Sequence, residues 1–325
     1  MSEKSLTEGG MASSSVRQPS AVWGYVAGIV TGVTYGLNPL FAVPLMRRGI
    51  SVDEILFFRY LLAVAVLGGW LAVRGESFRV SRRQAIRLLI LGILFALSSL
   101  TLFEAYRYIP SGVATTIVFL YPVLVAVIMV FMRVYPTWQV WLSIVMTFVG
   151  VLFLCRSDGE AMLQWRGLAL SFGSALAYAM FIVIVNRSRV IRTVSNSLLT
   201  FYALLTGSAL FLIHSLVGAA EMSGSGAAVS DILFRGLDDI SVWGSLVGLA
   251  VMPTVVSTAT LAMATRIIGA TKASVLGVFE PVTAILVGAL AFGERITANV
   301  VTGILLTMAA ITFMIVSSSK GNRIK

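Results

Sequence analysis

Residues 260–281 read TLAMATRIIGATKASVLGVFEP, and residues 101–122 read TLFEAYRYIPSGVATTIVFLYP. Laid on each other without a gap, at an offset of 159, they agree at Thr101/Thr260, Leu102/Leu261, Ala105/Ala264, Arg107/Arg266, Ile109/Ile268, Ala114/Ala273 and Pro122/Pro281. Apolar helices share Leu and Ala by chance, but an Arg and a mid-segment Pro held in one register are harder to obtain that way. The chain therefore contains an internal repeat. An earlier part of it aligns at an offset of 143, where Gly24 meets Gly167 and Tyr35 meets Tyr178. One insertion in the second copy reconciles the two offsets.

Around these stretches the chain is unusually apolar. Of its 325 residues 58% are hydrophobic and 12% charged, against roughly 25% charged in ordinary soluble domains. Windows of about 20 apolar residues, enough to span a hydrocarbon core of ~30 Å, recur between short polar punctuations. There are ten, at approximately 22–45, 53–73, 86–106, 111–132, 137–155, 167–186, 195–218, 242–264, 270–292 and 297–317. They must be helices, because a closed barrel would show short alternating segments instead. The repeat divides them five and five, at 21–156 and 157–318, with tails at 1–20 and 319–325. Five is odd, so the second half enters the membrane in the opposite sense. The expected fold is an all-α polytopic membrane protein of ten transmembrane helices, arranged as two inverted five-helix repeats, a pattern used by secondary transporters.

Charge supports this layout. The net charge of +10 could suggest a nucleic-acid partner, but its distribution argues against one. Sixteen Lys and Arg lie in the tails and loops on the amino-terminal face, among them Arg74, Arg79, Arg82, Arg83, Arg87, Arg187, Arg189, Arg192, Lys320, Arg323 and Lys325. Seven lie on the other face, and Arg59 falls inside the second span. Basic residues stay cytoplasmic, so both termini are expected inside a cytoplasmic (inner or plasma) membrane. The acids Glu221, Asp231, Asp238 and Asp239 fall in the longest loop of the opposite face. The polar start, MSEKSLTEGGMASSSVRQPS, reads as a disordered tail. A lone Cys155 leaves no internal disulfide and no cysteine metal cluster, and with a single histidine, His214, neither metal nor cofactor is expected. The expected partners are a small solute and the bilayer; nothing in the chain fixes an oligomeric state.

These residues resemble a known family. Ten spans in two five-span halves, with EPVTAILVGALAFGER at 280–295 and YIPSGVATTIVFLYP at 108–122, are similar to the EamA-type transporters of the drug/metabolite transporter superfamily. The resemblance covers about 22–317 and implies a carrier that exports a metabolite, such as an amino acid, by alternating access. One departure stands out: where the second half has Gly293-Glu294-Arg295, the first has RVYPT at 133–137 and lacks the carboxylate.

Transport sites tend to form where matching spans of the two halves are interrupted near the midplane. Pro122 and Pro281 each lie about eleven residues into their spans, roughly 16 Å deep at 1.5 Å per residue. They are preceded by Tyr121 and Glu280. A carboxyl at that depth can exchange a proton or meet a cationic group as water comes and goes, or it can brace the broken backbone through a hydrogen bond. Both readings of Glu280 stay open here. Glu104 sits three residues before Arg107 and can pair with it along one helix face; Arg59 can snorkel outward, pair with Glu104, or contact an anionic solute. Ser98 and Ser99 correspond to Ser257 and Thr258 in the other half, either helix-packing hydroxyls or cavity lining. In YGLNPLF, Asn38 can bond the carbonyl freed by Pro39 or face the solute, and Tyr35, Tyr121, Tyr178 and Phe279 could line an aromatic cavity. His214 is expected as a packed or interfacial ring, and glycines at four-residue spacing in GYVAGIVTG (24–32) as close helix contacts.

The leading function is a secondary transporter of a small organic solute, without enzymatic activity. The alternative is an integral membrane enzyme acting on a lipid-linked substrate, which would need clustered carboxylates, histidines or a phosphate clamp at one face. The chain offers one His, one Cys and no DxxD-like or HxxxH-like pair.

Overall fold

The computed structural model describes residues 21–133, 138–155, 164–223 and 239–321, and all regular structure among them is helical. Eight helical stretches are long and apolar enough to cross a membrane: Ala21–Arg47, Val52–Val73, Arg82–Ala105, Ser111–Phe131, Trp165–Arg187, Asn196–Val217, Ile240–Ile268 and Ala298–Ser317. Two shorter apolar helices, Trp138–Gly150 and Phe279–Phe292, belong to the fifth and ninth spans. The ten expected spans are thus all present as helices, with ends shifted by a few residues; the seventh continues to Ser223. The tail 1–20, the turn at 134–137, Asp231, Asp238 and 322–325 lie outside the described residues, as do the side chains of Cys155, Glu221 and Lys320.

The surface has the polarity expected in lipid. Leu290 is 85% exposed, Phe148 65% and Leu305 64%, while the buried polar groups are mostly Ser and Thr hydroxyls, some of which, such as Thr31, Thr116 and Ser143, return to a backbone carbonyl one turn earlier. Sequence also sets the helix starts. Ser51 and Glu54 form a reciprocal capping box on the second span, and Ser81 with Gln84 does the same on the third. Asp239 caps the eighth span, accepting from the Ser241 N–H at 2.9 Å and pairing with Arg48 at 2.8 Å. The hydrogen bonds from Ser241, and then Arg48, hold its carboxyl below the usual range.

Four spans are interrupted, each at a proline. Pro39 starts the second piece of the first span, Asn38–Arg47; Pro122 that of the fourth, Tyr121–Phe131; and Pro281 that of the ninth, Phe279–Phe292. In the eighth, Pro253 lies in a six-residue π-helical segment, Val251–Val256. Proline lacks an N–H and displaces the carbonyl four residues earlier, so each break leaves an acceptor to be satisfied. A neighbouring group satisfies three of them. Asn38 Nδ2 donates to Tyr35 O at 2.9 Å, Thr254 Oγ1 to Leu249 O at 3.3 Å, and the Glu280 N–H to Gly277 O at 2.9 Å. The repeat position of Pro253 is Leu94, which keeps its N–H, and the third span runs unbroken from Arg82 to Ala105.

Packing follows the repeat. The first span lies on the eighth and the sixth on the third, the first touches the ninth and the sixth the fourth, while second with seventh, fourth with ninth and fifth with tenth pair directly. Exchanging the halves maps this pattern onto itself. A single contact shows the same exchange at both offsets: Gly24 packs against Ile267 and Ile268, and Gly167 against Tyr108 and Ile109. Gly32 and Gly36 continue the first-span ridge onto the ninth-span break. A Cβ on Gly32 would come within 2.9 Å of Phe279 Cβ, and one on Gly36 would collide with the Glu280 carbonyl and the Thr283 side chain.

Candidate functional site

The breaks deliver polar groups from both halves to the middle of the bundle. Tyr121, at the start of the second piece of the fourth span, meets Tyr178 of the sixth edge to face, ring centroids 4.8 Å apart. Tyr178 in turn stacks on Phe181 at 5.9 Å. By the repeat, Tyr178 corresponds to Tyr35 and Tyr121 to Glu280, so the symmetric counterpart of this ring pair is Tyr35 with Glu280. Glu280 lies within electrostatic reach of the Tyr35 phenol and also of Tyr106, Tyr121 and Tyr178. All five side chains keep partial accessibility while Pro281 behind them is buried. Phe279, one residue before Glu280, is also partly accessible. Among the described residues, Glu280's carboxylate has neither a side-chain hydrogen bond nor an ion pair.

Arg59 approaches the same centre from the second span. It is 3% exposed, its Nε donates to Thr254 Oγ1 at 3.1 Å, and its guanidinium lies 5.5 Å from the Phe103 ring and 5.9 Å from the Tyr60 ring. Its charge reaches Tyr35, Tyr60 and Tyr106. The Arg59–Glu104 pair considered from the sequence does not form. Glu104 instead faces Arg107 at 3.5 Å, three residues along its own helix, and Arg59 turns inward to the π-helical segment. The sequence alone did not single out Thr254. The available signal was its place beside Pro253, where a hydroxyl is needed for the freed carbonyl and retains a lone pair for a donor.

The remaining sequence candidates divide. Asn38 is 3% exposed; its amide nitrogen repairs the first-span break, while its Oδ1 is buried without a partner. Ser98 and Ser99 join helices, Ser98 Oγ to Ser174 Oγ at 3.1 Å and Ser99 Oγ to Tyr60 Oη at 2.6 Å. Ser257 is buried at the start of the helix that resumes after the π-helical segment, whereas Thr258 returns its hydroxyl to Thr254 O at 2.7 Å and lines a cleft. His214 is a largely exposed ring whose Nδ1 lies 3.0 Å from Asp53 Oδ2. Glu294, marked in the sequence only as an asymmetry, proves to link the halves. Its Oε1 accepts from the Ser111 N–H at 2.9 Å and the Ser111 hydroxyl at 2.8 Å, capping the fourth span from the turn after the ninth. Gly293, left-handed at φ 68°, ends the ninth helix and turns the chain toward that contact.

Comparison with known proteins matches the family model for the EamA-like transporter family twice, over residues 22–156 and 165–316. A solved crystal structure aligns with a TM-score of 0.61 at 16% identity, covering 93% of this chain and 99% of its own, which speaks to the fold alone. A comparison with curated proteins finds no match.

Proposed function

The chain belongs to the EamA-like transporter family, and from that premise we propose that it carries a small organic zwitterion outward across the cytoplasmic membrane. An amino acid or a related amphipathic solute fits, moved by alternating access of the units 21–156 and 157–318, both termini being cytoplasmic. The observation that carries this reading is a guanidinium, Arg59, and a titratable carboxyl, Glu280, around one tyrosine-lined centre, neither of them in a described ion pair. The described ion pairs are Arg48 with Asp239 and Arg107 with Glu104, and the polar contact of His214 is with Asp53; none involves Arg59 or Glu280. A buried charge without a partner costs several kcal/mol, a cost that a ligand of opposite sign relieves. A zwitterion offers a carboxylate to Arg59 and an ammonium to Glu280, and its side chain can lie on Tyr121 and Tyr178. The asymmetry of the repeat supports the same reading. Tyr121 and Glu280 hold equivalent places, so the second half contributes an acid where the first contributes a ring.

Proton coupling follows if Glu280 gives up its proton as the ammonium arrives and regains it after release. The test is transport into sealed liposomes. Saturable counterflow of an amino acid is expected, and Glu280→Gln should fold with an unchanged thermal midpoint yet lose uptake driven by a pH gradient. Unchanged coupling together with lower thermal stability would make Glu280 a structural brace. Turnover of a lipid without solute flux would favour the enzyme instead.

A further inference from the structure

Away from the tyrosine centre, a cleft of about 460 Å³ opens between the end of the second span, the start of the seventh and the end of the eighth. It lies at the membrane face where the first span begins, since Gly24 there packs on Ile267 and Ile268. Its walls are mostly apolar, with exposed Trp70 and Met263, and Arg74 and Arg266 both line it, together with the hydroxyls of Ser197 and Thr258. Arg74 lies over the Trp70 ring at 4.1 Å. Neither guanidinium forms an ion pair with a described acid, and the acid nearest in sequence, Glu76, accepts a hydrogen bond from Ser195 at 3.2 Å. The volume falls within the ~300–1,000 Å³ range of small-molecule sites.

Two arginines lining an apolar, aromatic-walled recess at a membrane interface select a specific chemistry. We propose that this cleft binds an amphipathic anion, its single carboxylate or phosphate held by Arg74 and Arg266 and its apolar body laid against Trp70 and Met263. Guanidinium forks suit planar oxyanions, and basic recesses at this level attract anionic headgroups. The anion has two sources, a cytosolic solute or an anionic lipid of the inner leaflet. Either would sit beside Thr258, whose hydroxyl is bonded to Thr254 O in the segment that holds Arg59. Occupancy is thereby placed next to the transport centre, though the binding claim itself requires no flux.

The test titrates the full chain in an uncharged detergent with 8-bromooctanoate, with a brominated phosphatidylglycerol and with the matching brominated phosphatidylcholine. Bromine quenches tryptophan on contact. The expected result is saturable quenching by 8-bromooctanoate or by the phosphatidylglycerol, absent in Trp70→Phe and weakened about tenfold or more in Arg74→Gln or Arg266→Gln. Arg74→Lys and Arg266→Lys keep the charge without the fork, so they should bind more weakly than the unmodified chain but more tightly than the Gln variants, which separates lost charge from lost structure. Response to the free acid alone identifies a cytosolic solute as the source, and response to phosphatidylglycerol a lipid. Quenching that does not saturate, is equal for phosphatidylcholine, or survives Arg74→Gln/Arg266→Gln together would overturn the proposal.

Discussion

At the scale of single residues, the side chains that matter are those answering a break. Asn38, Thr254 and the Glu280 N–H each take the carbonyl released by an adjacent proline, and two of these groups also face the centre: Thr254 by holding Arg59, and Glu280 by its carboxylate. Part of this was legible in the sequence. Proline marks the carbonyl four residues earlier as free, so YGLNPLF contains the Asn38 contact almost explicitly. The partner of Arg59 was not, because Thr254 lies 195 residues away and meets Arg59 only through tertiary packing. Glu294 escaped for the same reason. Its two hydrogen bonds cap a helix of the other half, so Glu294→Ala should lower stability by about 1–3 kcal/mol, the cost of leaving a partly buried donor unsatisfied. Ser111→Ala, which keeps the backbone bond, should cost less. Thermal unfolding in detergent ranks the two, and a larger loss in Ser111→Ala would contradict the capping role.

At the scale of elements, the first span works through its glycines. Gly24, Gly28, Gly32 and Gly36 make one ridge that lets its backbone approach the eighth and ninth spans, ending against the Glu280 carbonyl. Four-residue spacing predicted close contact, yet nothing in the spacing named the surface met, since the same pattern occurs at many helix pairs. Gly36→Ala must displace the ninth-span break and should destabilise by about 1–3 kcal/mol, as overpacking does, and slow transport as well. Gly69, in the second span with nothing within 4 Å of an added Cβ, is the control: Gly69→Ala should be neutral or slightly stabilising. Measured melting temperatures and initial uptake rates for the two variants decide between a functional contact and a general intolerance of larger residues.

At the scale of the whole molecule, two inverted halves exchange their contacts almost one for one, so the bundle can present equivalent packings to either side of the membrane. The symmetry was readable from 101–122 and 260–281, and so was its departure at Tyr121 against Glu280, with two readings left open; the departure at Leu94 against Pro253 came into view only with the π-helical segment. The structure joins them, since the π-helical segment at Pro253 holds Arg59 and the break at Pro281 places Glu280. The most direct measurement uses one amino acid, its amide and its deaminated acid in liposome counterflow, with the unmodified chain, Arg59→Gln and Glu280→Gln. The account predicts that the unmodified chain prefers the zwitterion, that Arg59→Gln loses discrimination against the amide, and that Glu280→Gln loses discrimination against the deaminated acid. Equal transport of all three by the unmodified chain, or the same selectivity in both variants, would contradict it.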